Sequence, residues 1–257
     1  MLLKNSFNED IMKLAFISDI HGNQDALKSV LEHISANNVD KVVCLGDVVG
    51  YGPEAKECIN LLIENGITSV IGNHEEYIMG KAIKSDFNDF ARTSLELCLK
   101  QLADVHLQKI NQFKPYLLSK KYQFKIIHSA GIRVENFYVL FKQIKDRLFE
   151  LPNQSMCFVG HTHKCAIFEL DDTKKIVKKI EHASEFFLDL DNKRYIINAG
   201  SVGQPRDQDT RSSYIIYNSD SKSVSVHRVK YDIECVRKKM TKLCLPSYLI
   251  NRLNYGN

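Results

Sequence analysis

The chain has 257 residues, 44% hydrophobic and 26% charged, with 35 Lys and Arg against 31 Asp and Glu for a formal net charge of +4. That is ordinary globular usage, which excludes disordered, collagen-like and coiled-coil architectures, and the small positive excess is not the basic stripe of a nucleic-acid binder. No apolar run approaches the ~20 residues that span a bilayer, so a soluble, cytoplasmic protein with no membrane or stable nucleic-acid partner is expected.

Residues 1–12 read MLLKNSFNEDIM, with Glu9 and Asp10 where an export signal needs its apolar segment. They are expected to form an N-terminal extension, with 13–257 as one domain. From Leu14 to Ile17 an apolar run ends at Ser18-Asp19, and Leu27, Val30, Leu31 and Ile34 then recur at helical spacing. The unit repeats with Val42 to Leu45, Pro53, and a helix carrying Ala55, Cys58, Ile59, Leu62 and Ile63. Ile67 to Ile71 gives a third strand, and two strand–helix–strand units imply parallel pairing. Residues from Glu75 to about Phe113 read as helical cover for a sheet face.

After Pro115 the pattern turns to β: Tyr122 to Ile127, Met156 to Val159, Ala166 to Leu170, Phe186 to Leu190 and Tyr195 to Ile197. Asn136 to Leu151 reads as a helix, and a second, partly antiparallel sheet follows from this arrangement. Ser213 to Tyr217 and Ser223 to Val229 flank Asn218-Ser219-Asp220 as a hairpin, and Asp232 to Leu243 and Ser247 to Leu253 are amphipathic helices split at Pro246. Lys174, Lys175, Lys178 and Lys179 decorate an exposed hairpin. The seven cysteines contain no C-x-x-C pair, which fits reduced, mostly buried thiols.

Five apolar runs stop at residues able to bind a cation. LAFIS leads to Asp19 and His21, VVCLG to Asp47, SVIG to Asn73 and His74, FKII to His128, and CFVG to His161 and His163. In an α/β sheet the carboxyl ends of strands line one crevice, so residues distant in sequence meet there. Each piece alone has a plainer explanation: an Asp after a strand caps the next helix, Gly46 to Gly50 is a tight turn, Asn73 is a helix cap, and His128 is a core histidine. The joint occurrence at five strand ends favours a metal site.

These residues resemble the signature of the calcineurin-like metallophosphoesterase superfamily: D-x-H, G-D-x-x-D/G, G-N-H-D/E, H and G-H-x-H. DIHGNQDAL, CLGDVVGYGP, NAGSVGQPRD and CLPSYLINRL are further similar to its small bacterial YfcE-type phosphodiesterase branch. The resemblance implies an α/β fold, a four-layer α/β/β/α sandwich with two mixed sheets. It also implies one metal held by Asp19, His21, Asp47 and His163 and a second by Asp47, Asn73, His128 and His161, with Asp47 bridging. His74 is then not a ligand but the catalytic residue, assigned to transition-state stabilisation or leaving-group protonation.

Imidazole and carboxylate donors without thiolate suit Mn, Fe, Zn, Ni or Mg, and two divalent ions, with Mn²⁺ first, are expected. Two cations ~3.5–4 Å apart lower a bridging water from a bulk pKa of about 15.7 towards ~7, giving a hydroxide that attacks phosphorus without a Ser or Cys nucleophile. The expected activity is phosphodiester hydrolysis, with monoesters second, on a small phosphoester or nucleotide. Alternatives are a dinucleoside polyphosphate pyrophosphohydrolase, a protein phosphatase, or a metal-binding scaffold of the same fold. Gly50-Tyr51-Gly52 lacks the D-R-G of the larger protein phosphatases, which counts against the second of these. Arg206 is either part of a turn or a clamp on substrate phosphate. A dinucleotide-binding fold is excluded by the missing G-x-G-x-x-G.

Overall fold

A computed structural model describes residues 12–129, 149, 154–171, 176–180 and 184–257. Strand β1 (Lys13–Ile17), helix α1 (Gln24–Ser35), β2 (Lys41–Cys44), α2 (Ala55–Glu64) and β3 (Thr68–Ser69) follow the expected alternation. The three strands pair in parallel, Phe16 beside Val43 and Val43 beside Thr68. Asn23 caps α1 by accepting from the Ala26 N–H at 3.1 Å.

The helical stretch expected from Glu75 to Phe113 is broken into α3 (Asn73–Ile78), a 3-10 turn (Lys84–Asp86), α4 (Asp89–Leu99) and α5 (Asp104–Asn111). The breaks have local causes. Gly80 takes φ 67° just past α3, the Asn88 side chain caps α4 through Ala91 N–H, and His106 Nδ1 accepts from Ala103 N–H to start α5.

The expected strand at Tyr122–Ile127 is instead half of a hairpin, β4 (Tyr116–Ser119) and β5 (Phe124–Ile127). Tyr122 sits in its turn, where its N–H donates to Ser119 Oγ, and Gln123 has φ 54°. Strands β6 (Met156–Val159), β7 (Cys165–Asp171), β8 (Ile176–Ile180), β9 (Glu185–Phe187) and β10 (Arg194–Ala199) continue the chain. Of these, β8 had no strand bounds of its own in the sequence reading, but it pairs antiparallel with β7 as the exposed hairpin expected to carry Lys178 and Lys179. The hairpin β11 (Ser212–Asn218) and β12 (Ser223–Val229) forms as read, followed by α6 (Ile233–Lys242) and α7 (Ser247–Arg252) across Pro246. Lys178 and Lys179 are exposed on β8, whereas Lys174 and Lys175 lie outside the described residues.

Two six-stranded mixed sheets result, ordered β3-β2-β1-β11-β12-β9 and β4-β5-β6-β10-β7-β8. They pack face to face over an apolar layer in which Phe16 of the first sheet stacks on Phe158 of the second, ring centroids 4.0 Å apart. Helices α1 to α5 bury a second apolar cluster against the other face of the first sheet. The helix expected at Asn136 to Leu151, which would cover the second sheet, falls outside the described residues except for Phe149, as do residues 1–11. Among the described residues no helix is long and apolar enough to cross a membrane.

Candidate metal centre

The face-to-face packing places the carboxyl ends of β1, β2 and β3 beside those of β5 and β6. The turns leaving these strands bring all seven expected donors together. Five of them, Asp19, His21, Asp47, His161 and His163, hold φ between 48° and 70°. Non-glycine residues in the left-handed region cost about 1 kcal/mol or more each, a strain that persists only where the surroundings over-determine it. Here the determinants are main-chain bonds between turns: Asp19 N–H to Gly46 O, His21 N–H to Asp47 O and Gly203 N–H to Asp19 O, each 3.0 Å.

Asp19 is fully buried. Its Oδ2 accepts from Ser18 Oγ at 2.6 Å and from the main-chain N–H of His161 at 2.9 Å, which joins the two sheets. Its Oδ1 has no hydrogen-bond partner and lies 3.3 Å from His163 Nε2 and 3.7 Å from His21 Nε2. Burial pushes this carboxyl up, but the imidazoles of His163, His21 and His128 outweigh it and hold it below the usual carboxylate range.

The histidine tautomers follow from their partners. His21 Nδ1 meets Val49 O at 3.1 Å, His128 Nδ1 meets Leu45 O and His163 Nδ1 meets Gln204 O, both at 2.7 Å. A carbonyl only accepts, so each Nδ1 carries a proton and each Nε2 faces inward, where it offers a lone pair once that ring is neutral. The Nε2 atoms of His21 and His163 are 3.1 Å apart. Two imidazole nitrogens at that distance, beside a carboxylate oxygen without a hydrogen-bond partner, match the donor types that hold a divalent cation.

Asp47 joins this half to the other. Its Oδ2 is 3.8 Å from His21 Nε2 and 3.2 Å from His128 Nε2, while its Oδ1 accepts the His74 N–H at 2.9 Å. Asn73 Oδ1 lies 3.2 Å from His128 Nε2 and 3.0 Å from His161 Nδ1, so His161, the exposed member, presents Nδ1. Among the described residues three groups have the spacing of a metal site: Asp19, His21 and His163; Asp47, His128 and His161; and His21, Asp47 and His74. His128 is raised to about 10: burial opposes this, and the Asp47 and Asp19 charges overcome it.

His74 is buried, 4.6 Å from both His21 and Tyr51 between ring centroids, and its Nδ1 has no partner. Burial lowers it to about 3, so the ring is neutral at pH 7. A β-carbon at Gly50, which has φ 85°, would collide with that Nδ1, so the residue that distinguishes this turn from the protein-phosphatase pattern also makes room for His74. Arg206 comes beside the same centre. Its main-chain N–H donates to His163 O at 3.0 Å, and its guanidinium lies 5.5 Å over the Tyr51 ring.

Sequence reasoning missed three supports. Glu75 accepts from Asp47 N–H, Val48 N–H, Val49 N–H and Gly72 N–H at 2.7 to 3.1 Å, so Gly72 rather than Asn73 is the cap of α3. Its place three residues after the cap is the available signal. Tyr51, packed on His21 and His74, and Gln204, whose carbonyl orients His163, lie within the segments CLGDVVGYGP and NAGSVGQPRD but have no role assigned there.

The calcineurin-like phosphoesterase superfamily domain matches residues 12–222. An uncharacterized protein of Methanocaldococcus jannaschii is 32% identical over 246 residues, 95% of this chain and 98% of that protein. The crystal structure of a metallophosphoesterase from Sphaerobacter thermophilus is similar over 96% of this chain and 100% of its own, with 33% identity and a TM-score of 0.81. A symmetrical bis(5'-nucleosyl)-tetraphosphatase of Baumannia cicadellinicola is 32% identical over 71 residues, 26% of this chain and 25% of that protein.

Proposed function

This chain belongs to the calcineurin-like phosphoesterase superfamily, a family of metal-dependent hydrolases, and from that membership we propose that it hydrolyses phosphodiesters, and monoesters less readily, at a dinuclear centre. The observation that carries the reading is the 3.1 Å approach of His21 Nε2 and His163 Nε2 beside the unpartnered Oδ1 of Asp19. Asp19, His21, Asp47 and His163 would hold one cation and Asp47, Asn73, His128 and His161 the other. Two divalent cations, manganese first, would supply positive charge to the phosphoryl oxygens and make water acidic enough to attack phosphorus at neutral pH.

The protein's own groups do the rest. The carbonyls of Val49, Leu45 and Gln204 hold Nδ1 of the three imidazoles, leaving Nε2 of each as the atom that would ligate a cation. Asp47, through Oδ2 between His21 and His128, serves both halves. Neutral His74 donates a hydrogen bond to the phosphoryl or leaving oxygen as charge develops there. The seven cysteines, with no disulfide among the described residues, support a reducing, cytoplasmic setting.

Hydrolysis of dinucleoside polyphosphates is the second reading, favoured by the quarter-length likeness to a bis(5'-nucleosyl)-tetraphosphatase. With Mn²⁺ the purified protein should cleave bis(p-nitrophenyl) phosphate, EDTA should abolish this, and Asp47→Asn and Asn73→Ala should each lose turnover. Undiminished turnover in both variants overturns the dinuclear assignment. Full manganese occupancy with no turnover of diesters, monoesters or diadenosine tetraphosphate makes the chain a metal-binding scaffold instead.

A further inference from the structure

Between β10 and β11 the chain crosses from the second sheet to the first through residues 200–211. At the start of this crossing, Ser201 Oγ donates to Asp19 O at 2.7 Å and Gly203 N–H donates to the same oxygen at 3.0 Å. Further on, Gln204 O accepts from His163 Nδ1 at 2.7 Å, and Arg206 N–H donates to His163 O at 3.0 Å. Both donors so held, Asp19 and His163, belong to one group with His21. Among the described residues no hydrogen bond joins residues 201–207 to Asp47, His128 or His161.

One ion pair pins the crossing. Arg228, on β12 of the first sheet, donates from Nη1 to Asp207 Oδ1 at 3.1 Å and from Nη2 to Asp207 Oδ2. Asp207 Oδ2 also accepts, at 3.1 Å, the main-chain N–H of Cys165, the first residue of β7 in the second sheet. The carboxylate thus ties Arg228 to the main chain two residues beyond His163, which holds φ 60° and needs its neighbours to enforce it. With side chains only 14% and 13% exposed, Arg228 and Asp207 are unlike the solvated pairs that contribute little, and removing one leaves the other charged and out of water. Asp209 is no substitute for Asp207: it comes only within 3.9 Å of Arg228 Nε and is gripped by Arg211 instead.

We propose that Arg228 and Asp207 are positioning residues for one cation of the two: their ion pair sets how tightly Asp19, His21 and His163 hold it, although neither side chain bonds to a donor. This rests on reading the centre as dinuclear, and it deepens that reading by giving the two halves separate supports. An imidazole already held in one orientation binds a cation without the cost of being ordered, and the groups that hold it are worth about 10–100-fold in affinity. Arginine suits the task because its planar fork takes both carboxylate oxygens and so fixes the plane in which Oδ2 meets Cys165 N–H. In the other half, His128 is oriented by Leu45 O, beyond the end of β2, and does not depend on the crossing.

Manganese binding tests this without any turnover. Titrated into the metal-free protein and followed by calorimetry and by the EPR signal of free Mn²⁺, wild type should take up two ions. Arg228→Gln should weaken one of them by about tenfold or more and leave the other unchanged. Arg228→Lys, which keeps the charge but not the fork, should recover part of the loss. Asp207→Asn should show the same selective loss, and it decides the matter if Arg228→Gln does not fold. Once His163→Ala has removed the imidazole, Arg228→Gln should cost little further affinity, because its effect runs through that ring. Arg211→Gln, which breaks the neighbouring pair with Asp209, should leave both ions as they are. A folded Arg228→Gln or Asp207→Asn protein that binds both ions as wild type does overturns the positioning role. Equal loss of both ions, or the same loss in Arg211→Gln, also overturns it, since either marks a general loosening. If wild type takes up fewer than two ions, the dinuclear reading falls and the positioning role with it.

Discussion

Glu75 Oε2 accepts the main-chain N–H of Asp47 at 2.9 Å, so the residue after His74 fixes the turn that presents the carboxylate shared by both halves of the centre. The same carboxylate takes three more amides, and its side chain is completely buried. Burial and the Asp47 charge together push it up to about 7. Glu75→Gln would turn an NH₂ towards two of those amides, leaving each unsatisfied at about 1–3 kcal/mol. Urea unfolding should show that loss, and manganese affinity should fall with it although no donor has changed. Wild-type stability in the variant would mean the amides find other partners.

His74→Ala should keep its manganese, measured by metal analysis, while turnover falls by about 10²-fold or more. Gly50→Ala should reproduce the rate loss from a distance, because the added methyl collides with His74 Nδ1 and its φ of 85° disfavours any side chain. Metal loss from His74→Ala would reassign that ring as a ligand.

His128 and a cation compete for Asp47. With the ring raised to about 10 by Asp47 and Asp19 against the effect of burial, it is protonated at pH 7 in the metal-free protein. Manganese must displace that proton, so binding should release about one proton at pH 7 and strengthen as pH rises through the neutral range. Calorimetric titration in buffers of different ionisation enthalpy reads the number directly, and heats independent of buffer would contradict it.

Burial raises the thiols of Cys44 and Cys98 to about 12, and those of Cys58 and Cys165 also lie above the usual range. The unfolded chain releases these protons near pH 9 and the folded one only well above it. Stability from this source is therefore complete below about pH 9 and declines as pH climbs towards 12. Urea midpoints at pH 7.5 and 9.5 should differ, and less so in Cys98→Ala. At pH 8 a thiol reagent should label exposed Cys244 first.

The convergence of these side chains was legible in the sequence because each closely follows a strand, and strand ends in such a sheet converge whatever the register. Strand β4 was not legible, and β8 was legible only as an exposed lysine-bearing hairpin without bounds. Tyr122 carries an apolar signal into what is a turn, and the Lys-bearing β8 lies at an edge, where charge replaces alternation. The division of the stretch after Glu75 depends on Gly80 and on the caps at Asn88 and Ala103, which a helical period passes over. Glu75 and Gln204 act through the main chain, Glu75 on amides and Gln204 through its own carbonyl, so their side-chain types alone did not reveal these roles.

Asp19, His21, Asp47 and Asn73 leave the first sheet, and His128, His161 and His163 leave the second. The centre is thus a rivet through the seam where the two halves of the molecule meet. Ligation that exists only when both halves are docked adds its binding free energy to the folded state, about 2.7 kcal/mol when the free cation stands at a hundred times its Kd. Scavenging the metal should accordingly loosen the chain at this seam before the stacked Phe16 and Phe158 part.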